Sequence, residues 1–195
     1  MTGKTVAIIF VICATARGET PPPTPTELEI HTLSAIDSVP TKDELATYVQ
    51  GPDFVARLEA LALDSTVDFG IQLRAIRALP SFCAAQCKDT PPHIAVLAVI
   101  ASVPSTDHSG RALLRLRAGI EALGIVKSGK LEDVNLLVPF LDNASRDIRA
   151  ATARALRDMC NTTAIVPLRA RYQHEMSAQV RLAISAALRD LDQCN

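Results

Sequence analysis

Ile148-Arg149-Ala150-Ala151-Thr152-Ala153-Arg154-Ala155-Leu156-Arg157-Asp158-Met159 returns one helical hairpin later as Val180-Arg181-Leu182-Ala183-Ile184-Ser185-Ala186-Ala187-Leu188-Arg189-Asp190-Leu191. The distance from Leu156 to Leu188 falls within the repeat lengths that mark stacked helical hairpins. Each copy is amphipathic with a helical period, so neither buries its apolar face alone. Stacking one copy on the next removes both faces from water. The pair therefore predicts an all-α chain, organised as an α-solenoid of helical hairpins.

Working outward, the same Ala-Leu anchor recurs as Ala78-Leu79 and Ala122-Leu123. A small residue stands four before the leucine in three of the four copies, as Ala75, Gly119 and Thr152, with Ile184 in the fourth. The predicted repeats cover about 42–80, 91–126, 130–160 and 162–191 of a domain running from 28 to 195. In the first, Asp43 to Gln50 forms a short helix with Thr41 or Asp43 at its start. A longer helix then runs from Pro52 to Leu63, and a return helix from Asp68 to Leu79. The second pairs Pro91–Ser102 with Asp107–Val126. The third pairs Leu131–Leu141 with Ala144–Met159, and the fourth Thr162–Tyr172 with Ser177–Leu191. Pro139 and Pro167 are expected to bend the first helices of the last two repeats, because proline removes a helical hydrogen bond.

Composition agrees with helices rather than sheets. Apolar residues make up 48% of the chain while aromatics make up 4%, with no Trp, so the core must come from Ala and aliphatic side chains. Alanine and leucine are strong helix formers, and alanine lets helices approach closely. The formal net charge of −1 argues against a general attraction to nucleic acid or to a membrane surface. Acidic residues outnumber basic ones between Arg17 and Gly110, and the balance reverses from Arg111 onward.

Lys4 precedes the apolar run Thr5-Val6-Ala7-Ile8-Ile9-Phe10-Val11-Ile12-Cys13-Ala14, which closes on Ala14-Thr15-Ala16. A positive start, a short apolar core and a small-residue end describe a secretory signal at 1–16, cleaved after Ala16. The run falls short of the roughly 20 apolar residues that span a bilayer. Acylation of Cys13 is the alternative, and only that or an uncleaved signal brings the chain to a membrane. Residues 17–27 include Pro21-Pro22-Pro23 and Pro25 and read as an extended Pro/Thr-rich linker. The expected location is the periplasm or envelope of a bacterium.

Leu141-Asp142 followed by Ile148-Arg149 and Ala155-Leu156 resembles the HEAT repeat, whose first helix ends in Leu-Asp and whose second opens with Val-Arg. Val180-Arg181 with Ala187-Leu188 resembles the second-helix half. Gln72 and Leu116 occupy the arginine's place in the earlier repeats, where the ladder of the family is interrupted. Bacterial proteins of this kind also resemble the phycobilisome-lyase-like branch of the HEAT superfamily. The resemblance implies a structural ladder made by Asp142, Arg149 and Arg181. It further implies partner binding along the second-helix face, where Arg146, Arg154, Arg157 and Arg189 are the candidates.

Four cysteines follow the signal. Export permits disulfides, and four cysteines allow three connectivities. Cys160 with Cys194 would staple the last repeat, and Cys83 with Cys87 would bridge a local turn, with some distortion if that segment is helical. The rival use of Cys83 and Cys87, together with His93, is a metal or cofactor pocket. Against it, the chain lacks C-x-x-C spacing. Asp107-His108-Ser109 reads as a helix cap rather than catalytic machinery. Gly124 to Lys130 imitates a phosphate loop but follows a helix and continues with Leu131, so Gly124 or Gly129 is expected to serve a left-handed helix end. The expectation is a non-enzymatic protein-interaction scaffold with a protein partner, and with neither cofactor nor metal. The alternative is a lyase-like enzyme or cofactor-handling protein using the Cys83/Cys87/His93 neighbourhood.

Overall fold

The structure, a computed structural model, describes residues 27–35, 38–48, 53–84 and 87–194. The expected signal, Cys13 and linker residues 17–26 lie outside the described residues, as do Gln50 and Pro52. Among the described residues the only regular elements are helices, and there is no strand. The helices are α1 (Glu27–Leu33), α2 (Lys42–Tyr48), α3 (Phe54–Leu63), α4 (Phe69–Ala78), α5 (Pro91–Ala101), α6 (Gly110–Val126), α7 (Leu131–Leu137), α8 (Arg146–Asp158), α9 (Ile165–His174) and α10 (Ala178–Leu191). Short 3-10 turns follow α4 (Leu79–Phe82) and α7 (Val138–Asp142), and one precedes α9 (Thr162–Ala164).

Local chemistry sets the helix starts. Thr41 and Glu44 form a reciprocal capping box: the Thr41 hydroxyl accepts the Glu44 N–H at 3.2 Å, and Glu44 accepts the Thr41 N–H at 2.7 Å. Asp68 accepts the N–H groups of Gly70 and Ile71 at the head of α4. Ser109 accepts the Ala112 N–H at the head of α6, and Asp107 accepts the Ser109 N–H. Each cap satisfies donors that have no partner within the helix.

Packing follows chain order. α3 lies against α4, α5 against α6, and α9 against α10, while α8 packs on α7 and the turn after it. The second members touch in succession, α4 to α6, α6 to α8 and α8 to α10. α1 packs on α2 and α4 at the N-terminal side. One continuous apolar core runs through these contacts, with Leu58, Ile76, Leu79, Ile120, Leu123, Leu137, Ile148, Leu156 and Leu168 fully buried.

The small residues expected four before the anchor leucines have a visible purpose. A Cβ on Gly119 would lie 2.9 Å from Cγ1 of Ile100, so α5 and α6 pack where only glycine fits. Buried Thr152 donates its hydroxyl to the Ile148 carbonyl and leaves no polar atom unpaired.

Several expectations require correction. α1 was not anticipated, although Ile30 and Leu33 supply its inward face. The proline bend in the third repeat is a break: α7 ends at Leu137, and Pro139 sits in the first turn of the 3-10 segment. Pro167 falls in the first turn of α9, because Thr162–Ala164 forms its own 3-10 turn. There a proline forfeits little, since first-turn N–H groups lack helical acceptors. Gly124 is not a helix end. It is helical, and its Cβ would approach the Ala155 Cα to 2.8 Å, so it lets α6 and α8 touch backbone to backbone. Lys127 takes the left-handed cap of α6 at φ 51°, and Gly129 has φ 64° in the same turn.

Candidate functional site

The second-helix face displays a chain of charges rather than a bare arginine stripe. On α6, Arg117 donates to Glu121 at 2.8 Å, and Arg154 of α8 approaches the same carboxylate at 3.9 Å. Arg157 donates to its neighbour Asp158 at 2.8 Å. It also faces Asp190 of α10 at 3.8 Å, and Arg189 lies 3.7 Å from that same aspartate. Arg157 and Arg189 are thus brought together through a shared carboxylate. Exposed Leu114 and Ile125 extend the Arg117–Glu121 row at helical spacing along α6. Arg146 stands apart. It opens α8, about 16 Å along the axis from Arg157 at 1.5 Å per residue.

Along the edge formed by the turns within each pair, arginines and carboxylates serve the backbone. Arg149 donates to the carbonyls of Asn143 and Ala144 and makes a two-pronged bond to Glu175 at 2.7 and 2.9 Å. Arg171 adds a second guanidinium to Glu175 at 2.7 Å and reaches Asp142 at 3.0 Å. Glu175 is 2% exposed, and the Ser177 N–H also donates to it. The Arg149 bonds lead in holding its carboxyl down at about 2, with the Ser177 N–H and Arg171 assisting against the opposing effect of burial. Arg181 lies over the Tyr172 ring at 4.3 Å and points towards the carbonyls of Tyr172 and Glu175. Asp142 pairs with Arg171 of the next repeat and not with Arg149 or Arg181.

The ladder does not stop at the N-terminal repeats. Gln72 donates to the Val67 carbonyl at 2.7 Å, a span of five residues, as Arg149 does to Ala144. Its other amide atom accepts from Arg115 of the next pair. An amide therefore performs the arginine's backbone duty, and the cross-repeat rung arrives from the residue before Leu116. Sequence inspection missed Arg115 and Glu175, because their partners are set by inter-helix register.

The second and third pairs are joined by a buried polar cluster. The Asp89 N–H donates to Nδ1 of His93 at 3.1 Å, so Nε2 carries the proton and donates to Asp133 at 2.8 Å. The Ser128 hydroxyl donates to the same carboxylate. Lys130 pairs with Asp89 at 2.6 Å.

Cys83 and Cys87 form a disulfide with Cα atoms 5.1 Å apart, and Thr90 stands 2.8 Å from the Cys87 sulfur. Cys83 follows the 3-10 turn in extended backbone, so the helical geometry that would have distorted the bridge is absent at its first cysteine. Cys160 and Cys194 form the second disulfide, Cα atoms 5.4 Å apart, tying the end of α8 to the segment after α10. The Cys83/Cys87/His93 neighbourhood presents neither a thiolate nor an unengaged imidazole nitrogen. Among the described residues no cluster of His, Cys, Asp and Glu is arranged to hold a metal ion, and no helix is long and apolar enough to cross a membrane.

No protein-family model, curated protein or solved structure matches the chain.

Proposed function

We propose that the chain is an exported, non-enzymatic interaction scaffold of HEAT-like repeats, a right-handed solenoid that binds a protein along its second-helix face. The observation that carries this reading is the succession of contacts from α4 to α6, α8 and α10, which lines up one helix of every pair. The row on that face mixes half-buried Arg117, Glu121, Arg154, Arg157 and Asp158 with exposed Arg189 and Asp190, and has exposed Leu114 and Ile125 at its apolar positions. Such a surface is complementary to another protein bearing both signs of charge. It suits a polyanion poorly, because each arginine already has a carboxylate within reach. Export is supported by the signal-like 1–16 and is compatible with two disulfides.

The test is charge reversal of Arg157→Glu together with Arg189→Glu, which places two like charges beside Asp190. The tagged variant and the wild type are captured from the cross-linked envelope of the native host and compared by mass spectrometry. A single stoichiometric protein should be retained by the wild type and lost by the folded variant. Equal retention by both would remove the second-helix face from consideration. A cofactor-handling role through Cys83, Cys87 and His93 would instead require opening a disulfide and breaking both His93 hydrogen bonds.

A further inference from the structure

A cleft of about 240 Å³ lies between the turn joining α3 to α4 and the turn joining α5 to α6. Its volume is below the roughly 300–1,000 Å³ of sites that enclose whole cofactors, and it matches one side chain or a small acid. Two guanidinium groups line it, Arg111 and Arg115, one helical turn apart on α6. Arg111 lies 5.4 Å over the Phe69 ring, and Arg115 spends one N–H on Gln72. Neither has a carboxylate partner among the described residues, whereas Arg149 and Arg171 at the corresponding edge of the last two pairs share Glu175. The rest of each fork, a planar donor set suited to carboxylates, is unspent at the cleft.

The walls narrow the ligand further. Phe69, Val103 and Pro104 offer apolar surface for a short hydrocarbon stem. Asp107 also lines the cleft, but its Oδ1 accepts the Ser109 N–H at 2.9 Å instead of neutralising an arginine. The Ser109 backbone, followed by its hydroxyl, holds the Asp107 carboxyl below the usual range, so it is ionised at neutral pH. The lining then carries two positive charges against one negative, a net charge of one that a carboxylate monoanion balances.

We propose that this cleft is a receptor for a carboxylate on a short apolar stem, supplied by a glutamate side chain of a partner or by a small free acid. It lies at the turn edge and does not depend on the second-helix reading.

The experiment is a titration of the isotope-labelled full chain, followed by amide NMR. Four probes are used: glutarate, a capped alanine peptide with one central glutamate, its glutamine counterpart, and inorganic phosphate. Saturable shifts centred on Phe69, Val103 and Ser109 are expected with glutarate or with the glutamate peptide. Binding of the peptide assigns a chain-borne carboxylate, and binding of glutarate alone assigns a free acid. Arg111→Gln should weaken binding about tenfold, the value of one charge-assisted hydrogen bond, while Arg169→Gln on distant α9 should not. Arg115→Gln should act similarly. If it unfolds through loss of the Gln72 rung, Arg111→Gln still decides, since the Arg111 guanidinium makes no hydrogen bond to the described residues. Absence of saturable shifts, equal binding of the glutamine peptide, tighter binding of phosphate, or indifference to Arg111→Gln would each overturn the proposal.

Discussion

The junction between the first two repeats and the junction between the last two perform one backbone task with different chemistry. In both, a side chain from the second helix satisfies a carbonyl of its own turn and reaches to the neighbouring pair. At the C-terminal junction every partner is charged: Arg149 and Arg171 converge on Glu175, and Asp142 closes the far side of Arg171. At the N-terminal junction the central residue is the neutral Gln72, and only Arg115 carries charge. Arg149 and Arg171 are offset within the fold by Glu175 and Asp142. At the N-terminal end Arg115 and nearby Arg111 keep theirs for something else. A ladder of this kind is defined by reach to a carbonyl and not by residue type, and the residue type then decides whether charge is left over.

The largest expected effect is at Glu175. Replacing it with alanine strands two guanidinium groups in a part-buried site and should cost about 3–5 kcal/mol in chemical denaturation. A loss below about 1 kcal/mol would show that the charged junction is no more demanding than the neutral one. The disulfides come next. Closing a loop across a separation of 34 residues constrains the unfolded chain more than closing one across 4. Cys160→Ser with Cys194→Ser should therefore cost about 4 kcal/mol, against about 2 kcal/mol for Cys83→Ser with Cys87→Ser. Equal losses would mean that local geometry outweighs chain entropy here.

Acid sharpens the same contrast. Glu175 titrates at about 2 in the folded chain, against 4.5 ordinarily, so folding depresses its pKa. Its contribution is complete above the ordinary value and disappears as pH falls from about 5 towards 2, amounting to about 3 kcal/mol. Denaturation midpoints measured across that range should slope downward, and Glu175→Gln should remove most of the slope. An unchanged slope would assign it to other carboxylates. The smallest effect belongs to Gln72→Ala, which leaves the Val67 carbonyl and one Arg115 donor without partners. A loss of about 1–3 kcal/mol is expected from thermal melts. Adding Arg115→Ala to the same chain should cost less than the sum of the two single changes, because the partners share one rung.

Much of the helical plan was legible because it is written locally. The Ala-Leu anchors, the small residues before them and the caps at Thr41 and Ser109 depend on neighbours within a turn or two. The third repeat's first helix was misjudged because Pro139 permits a 3-10 turn as readily as a bent α-helix, and apolar spacing does not distinguish them. The cross-repeat contacts were not legible. Gln72 meets Arg115, and His93 meets Asp133, about one repeat away in sequence, and only the register of one helical pair on the next selects them. Glu175 looks like an exposed acid preceding a helix until two arginines from different helices are seen to enclose it. Arg157 and Arg189 were expected along the second-helix face, and their common neighbour Asp190 changes the sign pattern of that face.

The Cys160–Cys194 bridge also gives the molecule a direction. When helices pack in chain order, the terminal pairs have a neighbour on one side only and open most easily. A covalent tie from the end of α8 to the segment beyond α10 closes one of those two doors. Unravelling is then expected to start from α1 and α2 and to travel towards the C-terminus. A protease added under oxidising conditions should therefore consume the chain from its first helices inward, and reductant should let it enter from both ends.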